Sequence, residues 1–97
     1  MKRFVVWRDR GPAWDETRDR REQEDWEAHA AFMDGLVESG FLELGGPVGD
    51  GRRVLHICRA ESESEVRRRL AEDPWPEQML VLTSVEPWDV LLDGHAR

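Results

Sequence analysis

The longest amphipathic pattern in the chain runs from Glu24 to Gly40 and predicts a helix that carries a histidine in its apolar stripe. Residues recur there at the i, i+3, i+4, i+7 spacing that places them on one side of a 3.6-residue helix. The inward positions are Trp26, His29, Ala30, Met33, Leu36 and Val37. We expect the helix to begin near Arg18, after a cap at Asp15 or Thr17. Gly40 is expected to end it in the left-handed conformation.

Shorter apolar stretches around this helix predict four strands. They are rich in β-branched and aromatic residues or alternate apolar with polar positions. The predicted strands are Lys2 to Arg8, Phe41 to Leu44, Arg52 to Ala60 and Gln78 to Leu92, the last with an interruption at Pro87. The stretch from Gly45 to Gly51 predicts a hairpin turn, because its glycines tolerate positive φ.

A second helix is predicted from about Glu63 to Glu72. Ser62 and Glu65 have the spacing of a capping box, in which each side chain satisfies a backbone N–H at the start of a helix. The corner Asp73-Pro74-Trp75-Pro76 prevents the helix from continuing, since proline lacks the N–H and fixes φ. Residues 93–97 are expected to form a flexible tail after a core of residues 1–92.

The order of these elements predicts one α+β domain of the ferredoxin-like βαββαβ type, with an antiparallel sheet. Both faces of that sheet are apolar, because Phe4 and Val6 alternate with Val5 and Trp7. Soluble monomers rarely expose a large apolar sheet face. We therefore expect a second copy to cover it, which gives a symmetric homodimer built as a dimeric α+β barrel.

The composition and charge of the chain disfavour several classes of function. The 97 residues contain 14 Lys+Arg and 21 Asp+Glu, a formal charge of -7, which disfavours nucleic-acid binding because the acidic field repels phosphates. No apolar run approaches the length of a membrane span and no signal-peptide pattern occurs, so we expect a soluble cytoplasmic protein without a membrane partner. The single cysteine, Cys58, excludes an internal disulfide framework. His56 shares its strand face, but the further ligands of a metal site are missing, so no metal is expected.

His29 is the first candidate for chemistry, because an inward imidazole needs a hydrogen-bond partner. Two carboxylates compete for it. Asp73 lies at the proline-braced corner after the second helix, and Asp25 lies one turn before His29 on the same helix. In the simplest structural interpretation, His29 is a satisfied core histidine and Asp73 ends the backbone at its corner. In the functional interpretation, a carboxylate orients the ring so that its second nitrogen can move a proton of a substrate.

Further residues are candidates for binding a ligand. Gly46 and Pro47 belong to a glycine-rich turn whose backbone N–H groups can approach an anion, although a plain hairpin turn is the favoured interpretation of each. Trp75 stands in a proline-framed loop and is a candidate aromatic wall of a pocket. Arg8 and Arg10 are able to receive a substrate carboxylate, but we expect both to be solvated.

Four motifs, taken in order, resemble those of the YCII-related (YciI-like) family. The resemblance covers the chain from Lys2 to about Leu92. Its motifs are His-Ala-Ala-Phe-Met at His29 to Met33, Gly-Gly-Pro at Gly45 to Pro47, Ala-Glu-Asp-Pro-Trp at Ala71 to Trp75 and Ser-Val-Glu-Pro-Trp at Ser84 to Trp88.

The resemblance implies a dimeric α+β barrel with a His–Asp pair at His29 and Asp73. It also implies a cofactor-independent, lyase- or isomerase-like enzyme with dehydrochlorinase-like proton transfer on a small organic or aromatic acid. Gly46, Pro47 and Trp75 are then expected to contact that ligand, without a metal or organic cofactor. Because fold alone does not determine function, a non-catalytic ligand-binding or interaction domain with the same barrel is the alternative.

Overall fold

The structure, a computed structural model, describes residues 1–95. Its elements in chain order are β1 (Lys2–Arg10), a 3₁₀ turn (Arg20–Glu22), α1 (Trp26–Glu38), β2 (Leu42–Val48), β3 (Arg53–Ala60), α2 (Glu63–Leu70) and β4 (Leu80–Trp88). The four strands form one sheet in the order β2-β3-β1-β4, and every neighbouring pair is antiparallel. The chain is thus an α+β protein, compatible with a ferredoxin-like arrangement.

The first helix starts later than the sequence pattern predicts. α1 begins at Trp26, not near Arg18, because Asp25 adopts the left-handed conformation with φ of 61° and interrupts helical geometry. The residues before it form an irregular segment held by the buried Gln23 side chain, whose Nε2 donates to the carbonyl of Asp15 at 2.8 Å. Gly40, with φ of 82°, follows the end of the helix as predicted.

The inward stripe of α1 differs from the prediction at its last position. His29 and Leu36 are buried, whereas Val37 is 53% exposed. Phe32, which the spacing left out, instead packs against the core beside Met33. The predicted stripe is therefore correct along most of the helix but wrong at Val37.

Three further boundaries differ from the expectation. β2 continues to Val48, because Gly45 to Val48 pair with β3, and the turn is confined to the residues around Gly49 and Gly51. α2 ends at Leu70 rather than Glu72. β4 spans Leu80–Trp88, shorter at both ends than the predicted Gln78 to Leu92. It runs through Pro87 without interruption, since β4 is an edge strand, where a missing N–H costs no ladder bond.

The two faces of the sheet are unequally covered. Both helices pack on the face that carries Phe4 and Val6, where they form the main core. The opposite face, called the open face below, carries the side chains of Val5, Trp7, Leu44, Leu55, Ile57 and Val81. Leu44 on this face is 70% exposed.

Two sequence predictions concern the ends of elements and membrane contact. Asp93 to His95 follow β4 outside regular structure, and the last two residues of the predicted tail, Ala96 and Arg97, lie outside the described residues. Neither helix among residues 1–95 is both long and apolar enough to cross a membrane.

Candidate active site

His29 and Asp73 meet in the interior. The Nδ1 atom of His29 lies 2.8 Å from Oδ1 and 2.9 Å from Oδ2 of Asp73, and both side chains are buried. An ionised carboxylate can only accept, so the ring nitrogen that faces Asp73 carries the proton. In the neutral form of the ring, the lone pair is then on Nε2.

Local backbone geometry explains why Asp73 reaches this position. Its N–H donates to the carbonyl of Leu70 at 3.1 Å, which closes a turn at the end of α2. Its Oδ1 accepts the N–H of Trp75 at 2.9 Å, across the rigid proline between them. The backbone before and after Asp73 therefore holds its carboxylate in the position from which it contacts His29 of α1.

The competing partner, Asp25, does not bind the ring. Its backbone carbonyl accepts the N–H of His29 at 3.0 Å, as the first turn of α1 requires, while its side chain is exposed. The left-handed conformation of Asp25 is part of the reason, because it lies outside the helical surface on which i, i+4 pairs form. Asp73 is the carboxylate that orients His29.

Arg8 is the group that sequence reasoning placed wrongly. It was expected to be solvated, but it is 3% exposed and its Nη1 donates to Oδ2 of Asp73 at 2.9 Å. Its Nε donates to Nε2 of His56 at 3.0 Å. The reason is strand alternation, because Arg8 follows Phe4 and Val6 on the face of β1 that the helices cover. The alternation along β1 is thus the sequence pattern from which the burial of Arg8 could have been predicted.

Burial and charge shift the ionisation of this cluster. Burial alone raises the pKa of Asp73, but the hydrogen bonds from His29 and Arg8 outweigh it and leave the pKa below its usual value. Burial, reinforced by the charge of Arg8, lowers the pKa of His56 to about 3. His56 is therefore a neutral acceptor at physiological pH, and Arg8 and Asp73 balance one another's charge.

Trp75 covers the imidazole. Its ring stacks on that of His29 with centroids 3.8 Å apart and planes 12° apart. Its Nε1 donates to the carbonyl of Glu24, and Trp14 and Trp26 contact it at centroid distances of 5.5 and 5.7 Å. Trp75 thus fixes the orientation of His29 from a second direction.

A cleft of about 500 Å³ adjoins the pair, between α2 and β4. Its wall includes Arg8, Asp73, Trp75, Arg67, Leu80 and Leu82. His29 itself does not line this cleft. Its Nε2 makes no hydrogen bond within residues 1–95, but this atom is not fully buried. Part of its surface is therefore accessible.

Gly46 and Pro47 lie apart from this site. They belong to β2, at the sheet edge opposite β4, and pair with Leu55 and Val54 of β3. They do not line the cleft, whereas the third predicted contact, Trp75, does. The glycine-rich stretch was predicted as a loop, but backbone pairing makes most of it a strand.

Cys58 lies in the core on the face that His56 also occupies. Burial raises the pKa of its thiol to about 12, so it stays protonated. No group of three or more His, Cys, Asp or Glu side chains placed to hold a metal ion occurs in the part of the chain that the structure describes.

Comparisons with protein-family models, with curated proteins and with solved structures found no match to this chain. The resemblance to the YCII-related family accordingly stays a prediction from the sequence motifs.

Proposed function

We propose that this chain is a small cofactor-independent enzyme of the YCII-related type, in which His29 transfers a proton of a small organic or aromatic acid. The observation that carries the proposal is the position of His29 Nδ1, 2.8 and 2.9 Å from the two oxygens of Asp73, with Nε2 left without a hydrogen-bond partner within residues 1–95. One ring nitrogen is oriented by a carboxylate, and the other has the lone pair that a general base needs.

The same geometry suits an elimination. Nε2 takes a proton from a substrate carbon, the C–H electrons form the double bond, and a halide or hydroxyl group leaves with its bonding pair. Asp73 stabilises the imidazolium that forms, because its ionised carboxylate accepts the Nδ1 proton in a hydrogen bond. The proton then passes from Nε2 to solvent or to the leaving group, which restores the neutral ring.

The adjoining cleft is consistent with an acid that has an apolar body. Arg8 and Arg67 line it together with Leu80, Leu82 and Trp75, so cationic and apolar surfaces stand side by side. The half-exposed guanidinium of Arg67 has N–H donors in a planar fork that matches a carboxylate, whereas that of Arg8 is already held by the protein. A volume of about 500 Å³ falls within the range of small-molecule pockets.

Deuterium exchange tests the proposal for any acid whose carbon-bound proton His29 removes. The purified protein is incubated in D₂O with a panel of small carboxylic acids, including hydroxylated, halogenated and aromatic ones, and NMR measures loss of carbon-bound protons. We expect exchange or elimination with at least one acid. The His29→Gln variant should lower that rate at least about 100-fold, the usual size of acid–base catalysis.

The Asp25→Asn variant is the matched control, since it alters the carboxylate one turn away that does not contact the ring. It should retain the wild-type rate. An unchanged rate in a folded His29→Gln protein, or no exchange with any acid in the wild type, would refute the proposed role of His29.

One observation favours a second candidate function, a ligand-binding domain without catalysis. His29 is buried and does not line the cleft, whereas Arg8 and Asp73 do. This candidate predicts saturable binding of a small carboxylic acid with no exchange in D₂O. Calorimetric titration of the same panel distinguishes the two functions.

We further propose that the protein acts as a cytoplasmic homodimer, in which the open faces of two copies pack together as a dimeric α+β barrel. Support comes from the apolar side chains of Val5, Trp7 and Leu44, which a monomer would leave partly exposed to water. Arg3 and Glu43, paired at 2.7 Å, supply a polar rim to that surface.

A further inference from the structure

Arg8 is a buried cation whose guanidinium is held by three different segments of the chain. Nη1 contacts Asp73 beyond α2 at 2.9 Å, Nε contacts His56 on β3 at 3.0 Å, and Nη2 contacts the sulfur of Met33 on α1 at 3.6 Å. Side chains as long as arginine lose much rotational freedom when they are fixed in this way. The arrangement therefore defines one orientation of the guanidinium.

His56 supplies the acceptor that sets this orientation. Its Nε2 accepts from Arg8, so a neutral ring carries its proton on Nδ1, which is buried without a partner among residues 1–95. A protonated ring would have no lone pair for Arg8 and would place a second cation beside it. The neighbouring strand leaves room for this ring because residue 45 is glycine, where a Cβ would lie 3.3 Å from Nδ1.

The contacts continue without a break from His56 through Arg8 and Asp73 to His29. We propose that Arg8, held in place by His56, is a positioning residue for the His29–Asp73 pair. This inference rests on the function proposed above, because it assigns Arg8 and His56 to the support of the same proton-transfer site.

Arg8 acts on His29 through the carboxylate between them. Its Nη1 donates to Oδ2 of Asp73 while Oδ1 accepts the N–H of Trp75, so both oxygens that contact Nδ1 of His29 are held in place. Its hydrogen bond also helps to keep Asp73 ionised, so that the carboxylate can accept the Nδ1 proton of His29 in a hydrogen bond.

The titratable and charged groups around His29 come from four segments of the chain. They are Asp73 after α2, Arg8 on β1, His56 on β3, and Glu24 and Asp25 at the start of its own helix. The last two are exposed, so solvent screens them. Among these groups, Arg8 is the buried cation whose removal should have the largest effect on His29.

NMR of the Nδ1–H group of His29 tests this in the protein without substrate, because that proton lies in the hydrogen bond to Asp73. Replacing Arg8 with methionine keeps the approximate volume and removes the donor that fixes Asp73, so exchange of the Nδ1 proton with water should become at least about tenfold faster. The Arg10→Met variant is the matched control, since Arg10 lies two residues further along β1 and pairs with the exposed Glu16 at 3.1 Å. It should leave that exchange rate unchanged.

Variants at His56 test the second half of the proposal. His56→Leu removes the acceptor but retains the ion pair, so exchange of the His29 Nδ1 proton should speed up by less than in Arg8→Met. In His56→Gln, the side-chain oxygen can accept from Nε of Arg8, and the exchange rate should return toward that of the wild type. Because the ion pair is retained, the His56 variants decide the matter if Arg8→Met does not fold.

An unchanged exchange rate of the His29 Nδ1 proton in folded Arg8→Met, or in His56→Leu where Arg8→Met does not fold, would overturn the positioning role. With an acid that exchanges, Arg8→Met should lower kcat by about tenfold to 100-fold and leave KM within about twofold, because misplacement of a catalytic group acts on the chemical step. A larger change in KM than in kcat would contradict positioning and indicate direct contact with substrate. Failure of the wild type to exchange any acid would instead refute the proposed function, while the Nδ1–H measurements on His29 would still report on Arg8.

Discussion

The ion pair between Arg8 and Asp73 offers a sharp test of the site as a structural unit. The side chain of Asp73 is 1% exposed and that of Arg8 is 4% exposed, so neither charge is solvated. Glu16 provides a matched surface comparison, because it also contacts two basic groups, Arg10 and Arg52, each at 3.1 Å, but its side chain is 50% exposed. The perturbations are Asp73→Asn and Glu16→Gln, which each remove one negative charge with little change in shape.

The two changes should differ greatly in free energy. Removing one partner of a buried ion pair leaves the other charge uncompensated, which costs about 3–5 kcal/mol. Removing an exposed partner costs less than about 1 kcal/mol, because water and salt replace the lost interaction. For a domain of this size, each kcal/mol corresponds to about 4–8 °C in Tm, so Asp73→Asn should lower Tm by about 12–40 °C.

Urea unfolding followed by tryptophan fluorescence measures both variants. All proteins are compared at one concentration, since an oligomer's stability depends on it. A lower midpoint with an unchanged slope would report a loss of stability without a change in the surface exposed. A loss of unfolding free energy in Asp73→Asn within about 1 kcal/mol of that in Glu16→Gln would show that the buried pair is no more important to stability than the exposed one.

Two further predictions concern pH and assembly. The pKa of His56 is 6.5 in the unfolded chain and about 3 in the folded one, so the unfolded state binds more protons between these values. The free energy of unfolding should therefore decrease by about 1.4 kcal/mol for each unit by which pH falls through that window. Urea unfolding at several pH values should show a weaker pH dependence of stability for His56→Gln than for the wild type. An equal slope in wild type and variant would contradict this. Sedimentation should show that the wild type is a dimer and that Leu44→Glu, on the open face, is a monomer. The control Val37→Glu, on the helix side, should remain a dimer. A monomeric wild type would rule out the open-face interface.

Local patterns predicted the elements but not the start of α1. The alternation in β1, the cap at Ser62 and the left-handed Gly40 are all written in neighbouring residues, and the structure has each of them. The chain between residues 15 and 25 follows long-range demands instead, because Gln23 satisfies backbone groups there and the indole of Trp75 binds the carbonyl of Glu24. Helical propensity alone contains no information about such contacts.

The site shows the same division between local and distant information. An inward His29 required a partner, and Asp73 was the carboxylate that a rigid corner could present, so the pair was within reach of sequence reasoning.

The contacts of Arg8 could not be predicted from local sequence, because its partners His56 and Asp73 lie 48 and 65 residues away in the chain. Yet its position after Phe4 and Val6 already turned it toward the core, and a buried guanidinium must find both a carboxylate and a neutral acceptor. Arg8 is therefore the residue that requires Asp73 to be ionised and His56 to be neutral. The proton chemistry proposed for His29 then depends on a charge balance that begins on the central strand.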